Sequence, residues 1–159
     1  MMRKLAGRLA EAVGTGFYSG FFPIAPGTVG SAVGVVIYLA LARLGAIGAG
    51  FSAGWIAVLA AVLVVGALCA RDLERRWGPD HKRIVVDEVW GMLVSLAFLP
   101  PAAGYVIAGF LLFRFFDIAK PFPARRAEHV TRGWGVMLDD GVAGIYACAV
   151  LHLARAVVG

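Results

Sequence analysis

Between Glu11 and Arg71 the chain carries a single charged residue, Arg43, and between Glu88 and Arg114 it carries none. Stretches of that length without charge have two solutions, a large buried core or passage through a bilayer. A chain of 159 residues is too short to hide so much apolar sequence in a soluble core, whereas about 20 apolar residues suffice to cross a membrane. Composition agrees, with 60% hydrophobic and only 16% charged residues, against roughly a quarter charged in soluble domains. The expected fold is all-α: a polytopic membrane helical bundle forming a single domain over residues 1–159.

The net charge of +5 could suggest a nucleic-acid partner, but its distribution argues against one. Lys and Arg fall in short clusters flanking the apolar runs, as membrane orientation signals do. Cys69 and Cys148 lie in apolar stretches without CxxC spacing and read as small buried hydrophobes, neither a disulfide framework nor a zinc site.

The chain opens with "MMRKLAGRLAEAV", in which Leu5, Leu9 and Val13 recur at helical spacing while Arg3, Lys4 and Arg8 occupy other faces. This predicts an N-terminal interfacial helix, too interrupted for a signal-peptide core. A Gly-rich passage follows, then apolar runs from Val29 to Leu44, Gly50 to Ala70, Val89 to Phe113 and Gly141 to Val158. The basic clusters Arg3 to Arg8, Arg71 to Arg83 and Arg114 to Arg132 are predicted to be cytoplasmic. Because both flanks of the Val89 to Phe113 run are basic, it is predicted to form a hairpin turned at Pro100-Pro101. Each arm would then have only ~18 Å of helix, leaving open whether the hairpin is re-entrant. A single span kinked at the prolines would put Asp87 and Asp117 on opposite faces. The GxxxG pairs Gly30/Gly34 and Gly50/Gly54 read as close helix packing.

On the hairpin topology three acidic stations share one face: Asp87 and Glu88 in "VVDEVWG", Asp117 in "FRFFDIAKPFP", and Asp139 and Asp140 in "MLDDGVAG". Carboxylates at the ends of several helices are the ligand type Mg²⁺ prefers, with water and a phosphate completing its shell. Both adjacent pairs are predicted to sit where helices begin, where capping and the dipole would account for one acid of each. It does not account for Asp117, near a helix C-terminus where the dipole disfavours an anion. The five acids are candidate metal ligands and catalytic groups. Lys120, Arg114 and Arg125 are candidate phosphate ligands, whereas Arg126 and Arg132 read as topological charges. Thr28 and Ser31, in the Gly-rich passage before the first span, offer a phosphate-binding helix N-terminus or plain caps.

Other chemistries fare worse. "CARDLER", Cys69 to Arg75, matches C-x₅-R spacing, but its acids and lack of glycine would repel phosphate. His81, His129 and His152 stand alone, and no phosphoenzyme nucleophile is evident, which leaves metal-activated water attacking a phosphate ester. An ion channel or transporter using the acids as its ion site is the alternative class; it should carry acids at mid-membrane, and the helix middles have none. A CDP-alcohol phosphotransferase is disfavoured because its D-G-x₂-A-R pattern is absent after Asp140-Gly141.

The blocks "GTGFYSGFFPIAPGTVGS", "DEVWGM", "FRFFDIAKPFPARR" and "GWGVMLDDGVAGIYA" resemble the phosphatidylglycerophosphatase A family over nearly the whole chain. That resemblance implies an all-helical enzyme of the bacterial cytoplasmic membrane that is Mg²⁺-dependent and dephosphorylates phosphatidylglycerophosphate to phosphatidylglycerol. By position it marks Asp87, Glu88, Asp117, Lys120, Asp139 and Asp140. The expected partners are the phospholipid substrate and the bilayer, with the active site facing the cytoplasm; a homo-oligomer is left open.

Overall fold

A computed structural model describes residues 2–122 and 133–158. Among the described residues every regular element is helical: α1 (Met2–Gly14), a short 3₁₀ turn (Ser19–Phe21), α2 (Pro26–Arg43), α3 (Ala53–Trp77), α4 (Val86–Ser95), α5 (Ala103–Ala119) and α6 (Trp134–Val158). Three of them, α2, α3 and α6, are long and apolar enough to cross a membrane. Their outer faces present large apolar side chains such as Val36, Leu68 and Leu153, while Thr15, Ser31, Ser95, Asp87, Asp139 and Asp140 are buried. Apolar outside and polar inside is the arrangement a helix bundle adopts when its solvent is hydrocarbon.

At the centre stands α4, whose ten residues give only ~15 Å of helix and which is buried along nearly its whole length. It packs against α2, α3, α5 and α6, and glycines let the backbones close in. A Cβ at Gly30 would lie 2.8 Å from the Val85 Cβ, and one at Gly34 2.8 Å from the Met92 Cβ. On the other side a Cβ at Gly144 would stand 2.6 Å from the Gly91 carbonyl oxygen. Gly30 and Gly34 therefore do act in helix packing. Gly50 and Gly54 do not: Gly50 lies in the α2–α3 connection with φ +92°, and Gly54 sits against the Ala46 carbonyl of that same connection.

The two uncharged connections meet at one end of the bundle. The Gly50 N–H donates to the Phe98 carbonyl at 2.8 Å, and the buried Tyr38 hydroxyl donates to the Leu99 carbonyl at 3.0 Å, just before the two prolines. Phe98 also packs its ring against Phe51 and Trp55. The opposite end gathers the charge, as the basic clusters predict: Arg76 donates to the Gly7 carbonyl, and the Val85 N–H donates to the Gly14 carbonyl at 3.0 Å, tying the end of α1 to the start of α4. The Val89 to Phe113 run is thus a hairpin and not one kinked span. Its arms are unequal, ten residues against the seventeen of α5, where equal arms were expected.

Helix ends depart from the ends of the apolar runs. The third helix continues through "RDLERRW" to Trp77, so "CARDLER" is helical; its amides are spent on the helix and form no anion cradle. The last helix starts at Trp134, before Gly141. Both cysteines are free and only half-buried.

Candidate active site

The start of α4 places the first two acids. Asp87 and Glu88 occupy its first turn, where the helix dipole favours negative charge, and Val85 as N-cap provides no side-chain cap. From α6 comes Asp140, buried in the helix's second turn and not at its start, so the capping explanation for the Asp139-Asp140 pair fails. Oxygens of Asp87, Glu88 and Asp140 all lie within 4.8 Å of one another. One oxygen of each (Asp87 Oδ1, Glu88 Oε2, Asp140 Oδ2) is buried without a hydrogen-bond partner. Buried polar atoms are nearly always paired, and uncompensated buried charge costs several kcal/mol or more. Three clustered carboxylates, each with a buried oxygen lacking a hydrogen-bond partner, are the donor set of a hard divalent cation. Burial first, and the charges of Glu88 and Asp140 next, push the Asp87 carboxyl well above its usual range. Burial pushes Glu88 up as well, with Arg114 opposing. Both sit on α4, which is too short to span.

The last turn of α5 supplies the rest. Asp117 comes within hydrogen-bonding reach of Asp140 and forms an ion pair with Arg114 at 2.6 Å. That pair offsets the unfavourable position of an anion at a helix C-terminus. Lys120, the C-cap in left-handed conformation (φ 43°), pairs with Asp139 at 2.8 Å. Adjacent residues on a helix point about 100° apart, which is why Asp140 faces the carboxylates while Asp139 faces the lysine. Asp139, expected among the metal ligands, is therefore outside the three-carboxylate group. The segment after Lys120 is held by the Tyr146 hydroxyl donating to the Phe122 carbonyl at 2.8 Å.

The fourth wall is the first turn of α2. A Cβ on Gly27 would lie 2.2 Å from Glu88 Oε1 and 3.3 Å from Arg114 Nη1, so a side chain here would push the Glu88 carboxylate out of its present position. The sequence alone does not mark Gly27 as a site residue; its one signal is a glycine directly after Pro26 at a helix start. Ser31 is fully buried, donates to the Gly27 carbonyl at 2.9 Å and accepts from Arg114 Nη1 at 3.5 Å. It orients the arginine and is not a cap. Nor is Thr28, since the N-cap is Ala25. Pro26 has no N–H, and the Thr28 and Val29 N–H groups both donate to the Ala25 carbonyl, so the turn is a poor phosphate cradle despite its glycines. Arg125 lies outside the described residues, as do Arg126, His129 and Arg132.

Comparison with known proteins adds an independent line. The model of the family described as Phosphatidylglycerophosphatase A matches residues 12–155. A Bacteroides thetaiotaomicron protein provisionally named a phosphatidylinositol-3-phosphatase is 42% identical, over 95% of this chain and 96% of its own. Proteins named Phosphatidylglycerophosphatase A from Haemophilus influenzae and Escherichia coli are 38% and 34% identical, over 86% of this chain and 82% and 78% of theirs. No solved structure matches the chain.

Proposed function

The chain belongs to the phosphatidylglycerophosphatase A family, and on that premise we propose that it dephosphorylates phosphatidylglycerophosphate to phosphatidylglycerol, with Mg²⁺ at Asp87, Glu88 and Asp140 and the site on the cytoplasmic face of the bacterial inner membrane. Phospholipid phosphatase activity goes with the family. Support for the metal comes from the three converging carboxylates with unpaired oxygens, and that one observation carries the reading. Support for the orientation comes from the Lys and Arg gathered at the site's end.

Bound there, Mg²⁺ supplies positive charge to the phosphoryl oxygens and a water of lowered pKa. The protein's own groups set the geometry. Asp117 and Ser31 hold the Arg114 guanidinium between them beside Glu88, where its planar fork suits a phosphate. Asp139 holds Lys120, whose side chain is about one-third exposed, so this cation meets the headgroup from the water side. Asp117, in contact with both Arg114 and Asp140, keeps the phosphate-binding and metal-binding groups in register. The diacylglycerol tails stay in the bilayer, so no enclosed pocket is needed. Among the described residues no acid lies at the far end of the bundle, which favours an interfacial enzyme over an ion path.

The deciding experiment is phosphate release by purified protein from a panel of lipid monoesters, with and without Mg²⁺. Phosphatidylglycerophosphate should be the best substrate, and chelation should abolish turnover. Preference for phosphatidylinositol 3-phosphate would favour the function in the Bacteroides relative's name. Full turnover in chelator would overturn the metal site.

A further inference from the structure

The consecutive helices α2 and α3 meet at the far end, where Tyr38 stacks on Trp55, and otherwise pack on other neighbours: α2 on α4 and α5, and α3 on α1, α4 and α6. Between them lies a cavity of about 250 Å³, floored by Val86 and Val89 and walled by Ile37, Ala61 and Val62. Its rim residues Phe17, Ala61 and Val65 are exposed, so it opens sideways into the bilayer. A second, wider groove of about 1000 Å³ runs between α1 and α3, past Ala6, Ala10 and Leu68 to Asp72, Arg75 and Arg76. Val13 and Val65 line both spaces, so slot and groove adjoin at these residues along one path up α3.

We propose that this path is a binding site for an anionic phospholipid of the bilayer, with one acyl chain between α2 and α3 and its phosphate at Arg75 and Arg76. Depth fits: Ala61 and Arg76 are separated by ~22 Å along the helix, so the apolar slot lies within the hydrocarbon and the guanidiniums lie at headgroup level. Charge fits as well. Of the segment's acids, Asp72 is taken up by its ion pair with Arg76, which also donates to the Gly7 carbonyl, so the groove's polar end of Asp72, Arg75 and Arg76 is net positive with Arg75 exposed; a headgroup contact, unlike a catalytic anion loop, does not need open amides. Guanidinium groups bind phosphate oxygens in bidentate fashion. At about 250 Å³ the slot has less room than one turn of another protein's helix, ~10 Å across with a pitch of ~5.4 Å, whereas a slender acyl chain can enter it. The site is separate from the catalytic one. Val86 and Val89 face α3 and α2 across the slot, while Glu88 faces α2's first turn and Arg114 and Asp87 lies beside Asp140.

Cys69 lines the groove and is free, so it reports occupancy. In Cys148→Ser protein in detergent, N-ethylmaleimide modification of Cys69 is timed by mass spectrometry while phosphatidylglycerol or phosphatidylcholine of identical acyl chains is titrated. Phosphatidylglycerol should slow the reaction, with a midpoint about tenfold below that of phosphatidylcholine, and added salt should narrow the difference. Arg75→Gln should raise the midpoint about fivefold, and Arg75→Gln with Arg76→Gln further. Asp140→Asn should leave the protection intact, which separates this site from product bound among the carboxylates. Ala10→Trp, filling the groove, should slow labelling without lipid and remove the lipid dependence. Equal protection by both headgroups, no protection by either, or an unchanged midpoint in Arg75→Gln would overturn the proposal.

Discussion

Asp139 and Asp140 are neighbours with different partners, and substitution should separate them. Asp140→Asn removes one of three clustered carboxylates, so kcat is expected to fall about a hundredfold or more while the protein extracts and folds normally. Asp139→Asn should act through Lys120 instead, raising KM with a smaller effect on kcat. In the double variant with Lys120→Ala the two effects should fail to add, as expected of a pair acting as a unit. Steady-state phosphate release checks both. Gly27→Ala pushes a methyl group onto Glu88 and should lose at least about tenfold in activity; Gly104→Ala, whose Cβ would meet nothing within 4 Å, should be silent. The acids were legible in the sequence because charge beside hydrocarbon is conspicuous. The division of labour between them was not, since it depends on where α6 begins, and nothing in "GWGVMLDD" marks Trp134 as its first residue. Gly27 was hidden for a related reason: a glycine at a helix start has an ordinary turn-forming explanation, and only its neighbours across space make it part of a site.

For the helices, the decisive contact is α4 against its neighbours. Gly144→Val would drive a branched side chain into the Gly91 carbonyl and should destabilise the fold by about 2 kcal/mol. Tyr38→Phe, removing the bond to the Leu99 carbonyl, should destabilise it by about 1 kcal/mol. Denaturant unfolding in detergent would measure both. The hairpin was readable because a Pro-Pro pair between two basic flanks leaves few topologies. Its unequal arms were not, because apolarity reports what lipid or protein covers, not where a helix stops. Thus α3 runs on through Asp72 and Glu74 once it emerges at the headgroups, and α5 reaches Ala119 through Arg114 and Asp117 because these residues pair with each other.

Taken whole, the bundle gathers its described acids and most of its Lys and Arg at one end, leaving Arg43 and Arg155, in the last turns of α2 and α6, toward the other. Single cysteines at Pro79, in the α3–α4 connection, and at Gly48, in the α2–α3 connection, should be labelled from opposite sides of sealed vesicles, in protein with Cys69 and Cys148 replaced by Ser. Labelling of both from one side would contradict the fold. Clustering of Asp87, Glu88 and Asp140 without a bound cation should also destabilise the protein. Mg²⁺ is therefore expected to raise the Tm of the wild type by several degrees, and by much less in Asp140→Asn.

The brevity of α4 bears on how such a protein is made. A ten-residue segment starting with two carboxylates is a poor substrate for insertion machinery, which reads segments of about 20 apolar residues. Its best partner surface, the small-residue face of α6 around Gly141 and Gly144, is synthesised after it. The nascent α4–α5 pair is therefore expected to wait near the headgroups and enter fully only when α6 arrives, so that the reactive centre assembles only after α6 is made and chains without it stay inert.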